Sequence, residues 1–208
     1  MEKFEGTIIL AIIDKSGSMD SIKSDAIGGF NTFLEEQQNA PGECLISTVL
    51  FDTHYNLIEH GLPIKESKKL TNETYKPGGM TSLYDSIGRG ISDVEKMEVK
   101  ADRYLAVILT DGDENTSKEY TKSMINKLIT EKRSENWEFI FLAANQDAMA
   151  EGQSLGMSAS NSVTFVADGD GVNLAYQRMS KGSMKYRSMS SDVYMSAKAD
   201  LMSDDDTK

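Results

Sequence analysis

Apolar and polar positions alternate along this chain in two distinct rhythms. Ile8-Ile9-Leu10-Ala11-Ile12-Ile13 is an unbroken apolar run rich in β-branched residues, the pattern of a strand buried on both faces. It stops at Asp14, and a helical spacing of Ile22, Ala26, Phe30, Phe33 and Leu34 follows. Asp20 or Ser21 is the expected N-cap of that helix, and Asn39-Ala40-Pro41-Gly42 its end. Further strands are predicted over residues 45–51, 104–109, 139–143 and 163–166, with an antiparallel edge strand over 54–58 entered through a turn at Asp52-Thr53. Residues 65–77 are polar and irregular. Leu83, Ile87, Ile91 and Val94 mark a second helix, Met124, Leu128 and Ile129 the core face of a third. A short helical stretch starts near Asp147, and Val172, Ala175, Tyr176 and Met179 open a closing helix.

Strands alternating with helices require parallel strands and right-handed crossovers. The predicted fold is α/β: a doubly wound, mostly parallel open sheet, Rossmann-like, with one antiparallel edge strand and helices on both faces. Residues 1–190 form one domain in this reading, and 191–208 a flexible, polar and acidic extension ending in Asp204-Asp205-Asp206. In such sheets ligands bind at the carboxyl ends of the strands, which directs attention to the residues after Ile13, Pro77 and Leu109.

Composition narrows the chemistry. The 208 residues carry 33 Asp and Glu against 22 Lys and Arg, a net charge of −11. That balance argues against nucleic acid as a partner, because phosphate binding needs clustered cations. Cys44 is the single cysteine and His54 and His60 the only histidines, so any metal is expected to be a hard ion held by oxygen. The first apolar run is too short for a signal peptide and no segment reaches membrane-spanning length, which points to a cytoplasmic protein.

Three loops at the predicted ligand edge carry oxygen donors. Asp14-Lys15-Ser16-Gly17-Ser18 follows the first strand, Gly78-Gly79-Met80-Thr81 precedes the second helix, and Thr110-Asp111-Gly112 follows a later strand. Each alone also reads as a helix cap or turn. Together they bring two carboxylates and three hydroxyls to one edge, a set suited to Mg²⁺ or Mn²⁺, less to Ca²⁺ and poorly to zinc. Asp113 and Glu114 enlarge the negative loop beside Asp111, as tuners of the metal, partner contacts or simply a solvated surface. Asp168-Gly169-Asp170-Gly171 lacks the spacing of a calcium loop and reads as a turn with a helix cap.

Asp14-x-Ser16-x-Ser18, Thr81 and Asp111 resemble the metal-ion-dependent adhesion site (MIDAS) of von Willebrand factor A (VWA) domains, and Gly29-Phe30-Asn31 is similar to bacterial cytoplasmic members, including those of tellurite-resistance and stress systems. The resemblance implies a binding site in which Ser16, Ser18 and Thr81 hold the ion directly and Asp14 and Asp111 act largely through water. An open position would then take a Glu or Asp carboxylate of a partner protein, with Lys15, Met80, Asp113 and Glu114 as auxiliary or partner-contacting residues. It also implies that the closing helix can shift to switch affinity. The alternative is a Mg²⁺-dependent phosphatase of haloacid-dehalogenase type using Asp14. Such enzymes need a second Asp as general acid two residues on, where this chain has Ser16.

Overall fold

A computed structural model describes residues 2–144, 147–189 and 201. Six strands form a single sheet: β1 (Glu2–Asp14), β2 (Cys44–Phe51), β3 (Tyr55–Pro63), β4 (Val99–Thr110), β5 (Trp137–Ala144) and β6 (Ser162–Phe165), in the order β3-β2-β1-β4-β5-β6. Only the β2–β3 pair is antiparallel. The helices are α1 (Lys23–Asn39), α2 (Leu83–Glu95), α3 (Lys122–Ser134), α4 (Ala148–Ser154) and α5 (Gly169–Ser188).

The continuous apolar runs have a direct structural cause. Ile9, Ala11 and Ile13 of β1 enter a core shared with α1 and α5, whereas Ile8, Leu10 and Ile12 enter a second core shared with α2 and α3. A strand with a helix layer on each side has no polar face to show. The chain builds outward from β1 to β3, then returns to lay β4, β5 and β6 on the other side. The reversal leaves a crevice between the carboxyl ends of β1 and β4.

Several local expectations shift. A 3₁₀ turn over Gly17–Ile22 separates β1 from α1, so the helix starts at Lys23, and neither Asp20 nor Ser21 caps it. On α3 the core face is Ile125 and Ile129, with Leu128 partly buried; Met124 lies 49% exposed, one position off the buried stripe. The edge strand begins at Tyr55 and runs on to Pro63, while β4 begins at Val99 because its first residues pair with Glu2, Lys3 and Phe4. The irregular stretch after β3 is anchored by buried Leu70 and Tyr75. Asp168 caps α5, accepting the Gly171 N–H at 2.8 Å.

Gly29-Phe30-Asn31 is explained by packing. A Cβ at Gly29 would lie 2.1 Å from Cδ2 of Tyr176, so only glycine lets α1 and α5 approach this closely. Phe30 is core, and Asn31 clasps Leu70 through its N–H (2.7 Å) and C=O (3.0 Å). The proposed 191–208 extension lies outside the described residues apart from Leu201, which is buried and donates its N–H to Asn161 Oδ1 at 2.8 Å. Among the described residues no helix is long and apolar enough to cross a membrane.

Candidate metal centre

The crevice between β1 and β4 gathers the three loops. Asp14, the last residue of β1, is fully buried. Its Oδ1 accepts the Ser16 N–H at 2.6 Å and its Oδ2 the Thr110 hydroxyl at 2.5 Å. Tyr75 donates its hydroxyl to the Asp14 carbonyl at 2.6 Å, fixing the strand end from below. Ser18 donates to Asp111 Oδ1 at 2.7 Å, and the Ser16 and Ser18 hydroxyls lie 3.1 Å apart.

Thr81 closes the third side. A Cβ built on Gly112 would sit 3.1 Å from Thr81 Oγ1, 3.6 Å from Ser18 Oγ and 4.0 Å from Ser16 Oγ, so three hydroxyls from two loops ring one small space above Gly112. Any larger residue there would fill the cradle. Thr81 is positioned by a reciprocal clasp: its N–H donates to Asn115 Oδ1 and its C=O accepts from Asn115 N–H, both at 3.0 Å. Gly79, at φ 73°, turns the chain so that Met80 N–H reaches Thr53 Oγ1 at 2.8 Å. Gly17 N–H to Gly79 C=O (3.1 Å) and Gly78 N–H to Lys15 C=O (2.9 Å) stitch the first two loops together.

The electrostatics are those of a site short of positive charge. Burial drives the Asp14 carboxyl up to about 6, and the neighbouring Asp111 charge adds to the rise, against the Thr110 and Ser16 hydrogen bonds. Burial raises Asp111 as well, opposed by the Ser18 bond. Neither carboxylate has an ion-pair partner among the described residues. The nearest cation of the loop, Lys15, turns away to pair with Asp52 and leaves only 14% of its side chain exposed. Among the described residues no three His, Cys, Asp or Glu side chains group as metal ligands. The donors present are two carboxylates and neutral hydroxyls, which fit a hard divalent cation and offer nothing soft.

The structure thus brings together Asp14, Ser16, Ser18, Thr81 and Asp111, and it separates the auxiliary candidates. Met80 stands 51% exposed beside Thr81, and Asp113 is exposed. Glu114 is no solvated surface residue: it accepts from Tyr84 N–H (2.9 Å), Thr116 N–H (2.9 Å), Ser117 N–H (2.7 Å) and Ser117 Oγ (2.7 Å). Sequence reasoning missed Asp52, whose place at the end of a parallel strand is the signal that marked Asp14. It accepts from Lys15 and from His54 N–H (2.6 Å), and its C=O takes Ser82 N–H at 3.1 Å. Also missed was Asp85, which accepts backbone N–H groups from Lys118, Glu119 and Tyr120 at 2.8–2.9 Å and so fixes the loop behind Asn115.

A sheet in this order, with acidic and hydroxyl groups in the crevice between β1 and β4, defines a VWA-type Rossmann-like fold. Solved structures agree. The VWA domain of the pilus tip protein Mfa5 from Porphyromonas gingivalis aligns with a TM-score of 0.65 at 8% identity, covering 89% of this chain and 97% of that one. Pilus adhesin SpaC from Lactobacillus rhamnosus GG gives 0.69 at 13% identity over 88% of this chain and 31% of its own. Proximal thread matrix protein 1 from the mussel byssus, in a structure with a zinc-occupied MIDAS, gives 0.64 at 14% identity over 86% and 46%. The chain spans 43% of a VWA protein from Catenulispora acidiphila and similarly less than half of several other structures it matches. No family model and no curated protein matches the sequence.

Proposed function

We propose that the chain is a metal-dependent protein-interaction module, in which Ser16, Ser18 and Thr81 hold Mg²⁺ or Mn²⁺ and the ion captures a Glu or Asp carboxylate of a partner protein. The observation that carries this reading is the ring of three hydroxyls around Gly112, bordered by Asp14 and Asp111, with no cation of the described residues among them. Neutral hydroxyl donors leave most of a divalent charge uncompensated, so the bound ion would supply an electrophilic position for an outside carboxylate. Asp14 anchors the first loop through Ser16 N–H and Thr110, and Ser18 couples that loop to Asp111. The exposed Met80 would flank the captured acid.

The same geometry speaks against Asp14 as a phosphatase nucleophile. Its side chain is fully buried and both oxygens are engaged, whereas an attacking carboxylate must face its substrate. A cytoplasmic, bacterial setting belongs to this proposal, and cell fractionation tests it.

The deciding experiment is thermal unfolding with Mg²⁺, Mn²⁺, Ca²⁺ or Zn²⁺ against EDTA, in wild type and Thr81→Ala. Mg²⁺ or Mn²⁺ is expected to raise the midpoint of the wild type and not that of the variant. Equal stabilisation of both removes the site assignment, and stabilisation by Zn²⁺ alone removes the choice of ion. Turnover of a phosphate ester that vanishes in Asp14→Asn replaces the module with a hydrolase.

A further inference from the structure

The opposite edge of the sheet holds a second polar pocket. It measures about 90 Å³ and is lined by Thr7 at the start of the apolar part of β1, Arg103 on β4, Arg187 near the end of α5, and the turn at Pro41 and Gly42. Thr7 and Arg103 are register partners on adjacent strands, so both project from one place on the sheet. Arg187 is 93% buried.

Both guanidinium groups are held by neutral carbonyls. Arg187 donates from Nη1 to Gln37 C=O (2.7 Å) and Gln37 Oε1 (3.1 Å), and from Nη2 to the carbonyls of Pro41 (3.4 Å) and Gly42 (3.1 Å). Arg103 donates from Nη1 to the carbonyls of Tyr186 (3.4 Å) and Met189. Among the described residues neither forms an ion pair with a carboxylate. In a chain of net charge −11 that is unusual, and it leaves one buried and one half-buried positive charge balanced by dipoles. Donors also remain over. Among the described residues Arg103 Nε is buried with no hydrogen-bond partner, and Arg103 Nη2, Arg187 Nε and the Thr7 hydroxyl make no hydrogen bond.

We propose that this pocket binds a phosphate-sized oxyanion. A guanidinium edge with Nε–H and Nη2–H side by side is the fork that grips an oxyanion with two parallel bonds; Arg103 Nε is buried, so its side chain must turn toward the pocket for both donors to engage. A second guanidinium and a hydroxyl add donors to a pocket whose lining also includes the acids Glu5, Glu43 and Asp102. The volume, about 90 Å³, admits an ion of the size of phosphate or sulfate. Those acids lie toward solvent: Glu5 and Glu43 are exposed and Asp102 is half-buried. Glu5 is 81% exposed, and it and Asp102 share Lys3 at 3.5 and 3.6 Å, so their charge is screened by water and by a cation. Seven residues of strand, on the order of 23 Å, separate Thr7 from Asp14, which makes this site independent of the metal centre.

The test uses the full chain in EDTA at fixed ionic strength, titrated with inorganic phosphate. A saturable rise of at least ~3 °C in the unfolding midpoint is expected, at least halved in Arg103→Gln and in Thr7→Val. In parallel, the Arg103 Nε–H NMR resonance should move with the same saturation. Thr7→Val preserves side-chain shape, so it stays informative if Arg103→Gln fails to fold. A rise that grows linearly and equally in wild type and both variants is the solvent effect of an excluded anion and overturns the site; so does an unmoved resonance. Phenyl phosphate separates the sources: the same response with it assigns a phosphate carried on a larger molecule, and a response to inorganic phosphate alone assigns the free ion.

Discussion

Replacing Asp14 by Asn isolates the charge at the heart of the site. The folded carboxyl titrates at about 6 instead of 3.8 because it is buried, with Asp111 nearby. A raised acid is held protonated by the folded state, so stability falls as pH climbs from about 4 to about 6 and the cost is complete above that window. Two units correspond to about 3 kcal/mol. Asn carries no such cost and keeps the bonding: Oδ1 still accepts Ser16 N–H, and Nδ2 donates to Thr110 Oγ1, which retains the Gly112 carbonyl at 3.1 Å as its own acceptor. In EDTA at pH 8, Asp14→Asn is therefore expected to be more stable than wild type by up to about 3 kcal/mol, roughly 2–4 °C in midpoint for each kcal/mol. At pH 4 the two should coincide. Adding Mg²⁺ should stabilise only the wild type and narrow the gap. Urea unfolding across pH 4–8, with and without metal, measures all of this. A variant less stable than wild type in EDTA at pH 8, or a gap that ignores pH, would refute the account of Asp14 as an uncompensated buried charge.

Gly112→Ala puts a methyl 3.1 Å from Thr81 Oγ1; titration calorimetry should find Mg²⁺ affinity lowered about tenfold or more, with the metal-free midpoint nearly unchanged. Gly29→Ala drives a Cβ into the Tyr176 ring and should cost about 1–3 kcal/mol in urea unfolding, with metal affinity per folded molecule preserved. Asp85→Ala strips the acceptor from three backbone N–H groups. It should cost about 1–3 kcal/mol and speed hydrogen exchange at Lys118, Glu119 and Tyr120.

The α/β class, the antiparallel edge strand and the loops that meet at the carboxyl edge of the sheet were legible because they depend on patterns confined to short stretches of chain. A strand buried on two faces must be apolar throughout, as residues 8–13 are, and a carboxylate at its end stands out against that run. Features built from distant partners left no such mark. Glu114 reads as one more acid in a polar loop, yet its bond to Tyr84 N–H spans 30 residues. Asp85 lies within an amphipathic helix and serves a loop 33–35 residues away. Tyr75 sits in an irregular segment whose polarity hid its role under Asp14. The misplaced start of α1 has a local cause: the 3₁₀ turn continues the helical spacing backward through Met19 and Ile22, so periodicity alone could not mark the boundary.

The bond from Ser18 to Asp111 joins residues 93 positions apart. An unfolded chain has no means of keeping such donors together, since closing a loop of that length costs entropy that one hydrogen bond does not recover. Any ion held jointly by these loops would therefore discriminate almost wholly in favour of the folded state, and its binding energy would appear in full as resistance to unfolding. Occupancy of the crevice by such an ion would then set protein lifetime: a chain starved of divalent cation would open more often to proteases, and one holding the metal would persist.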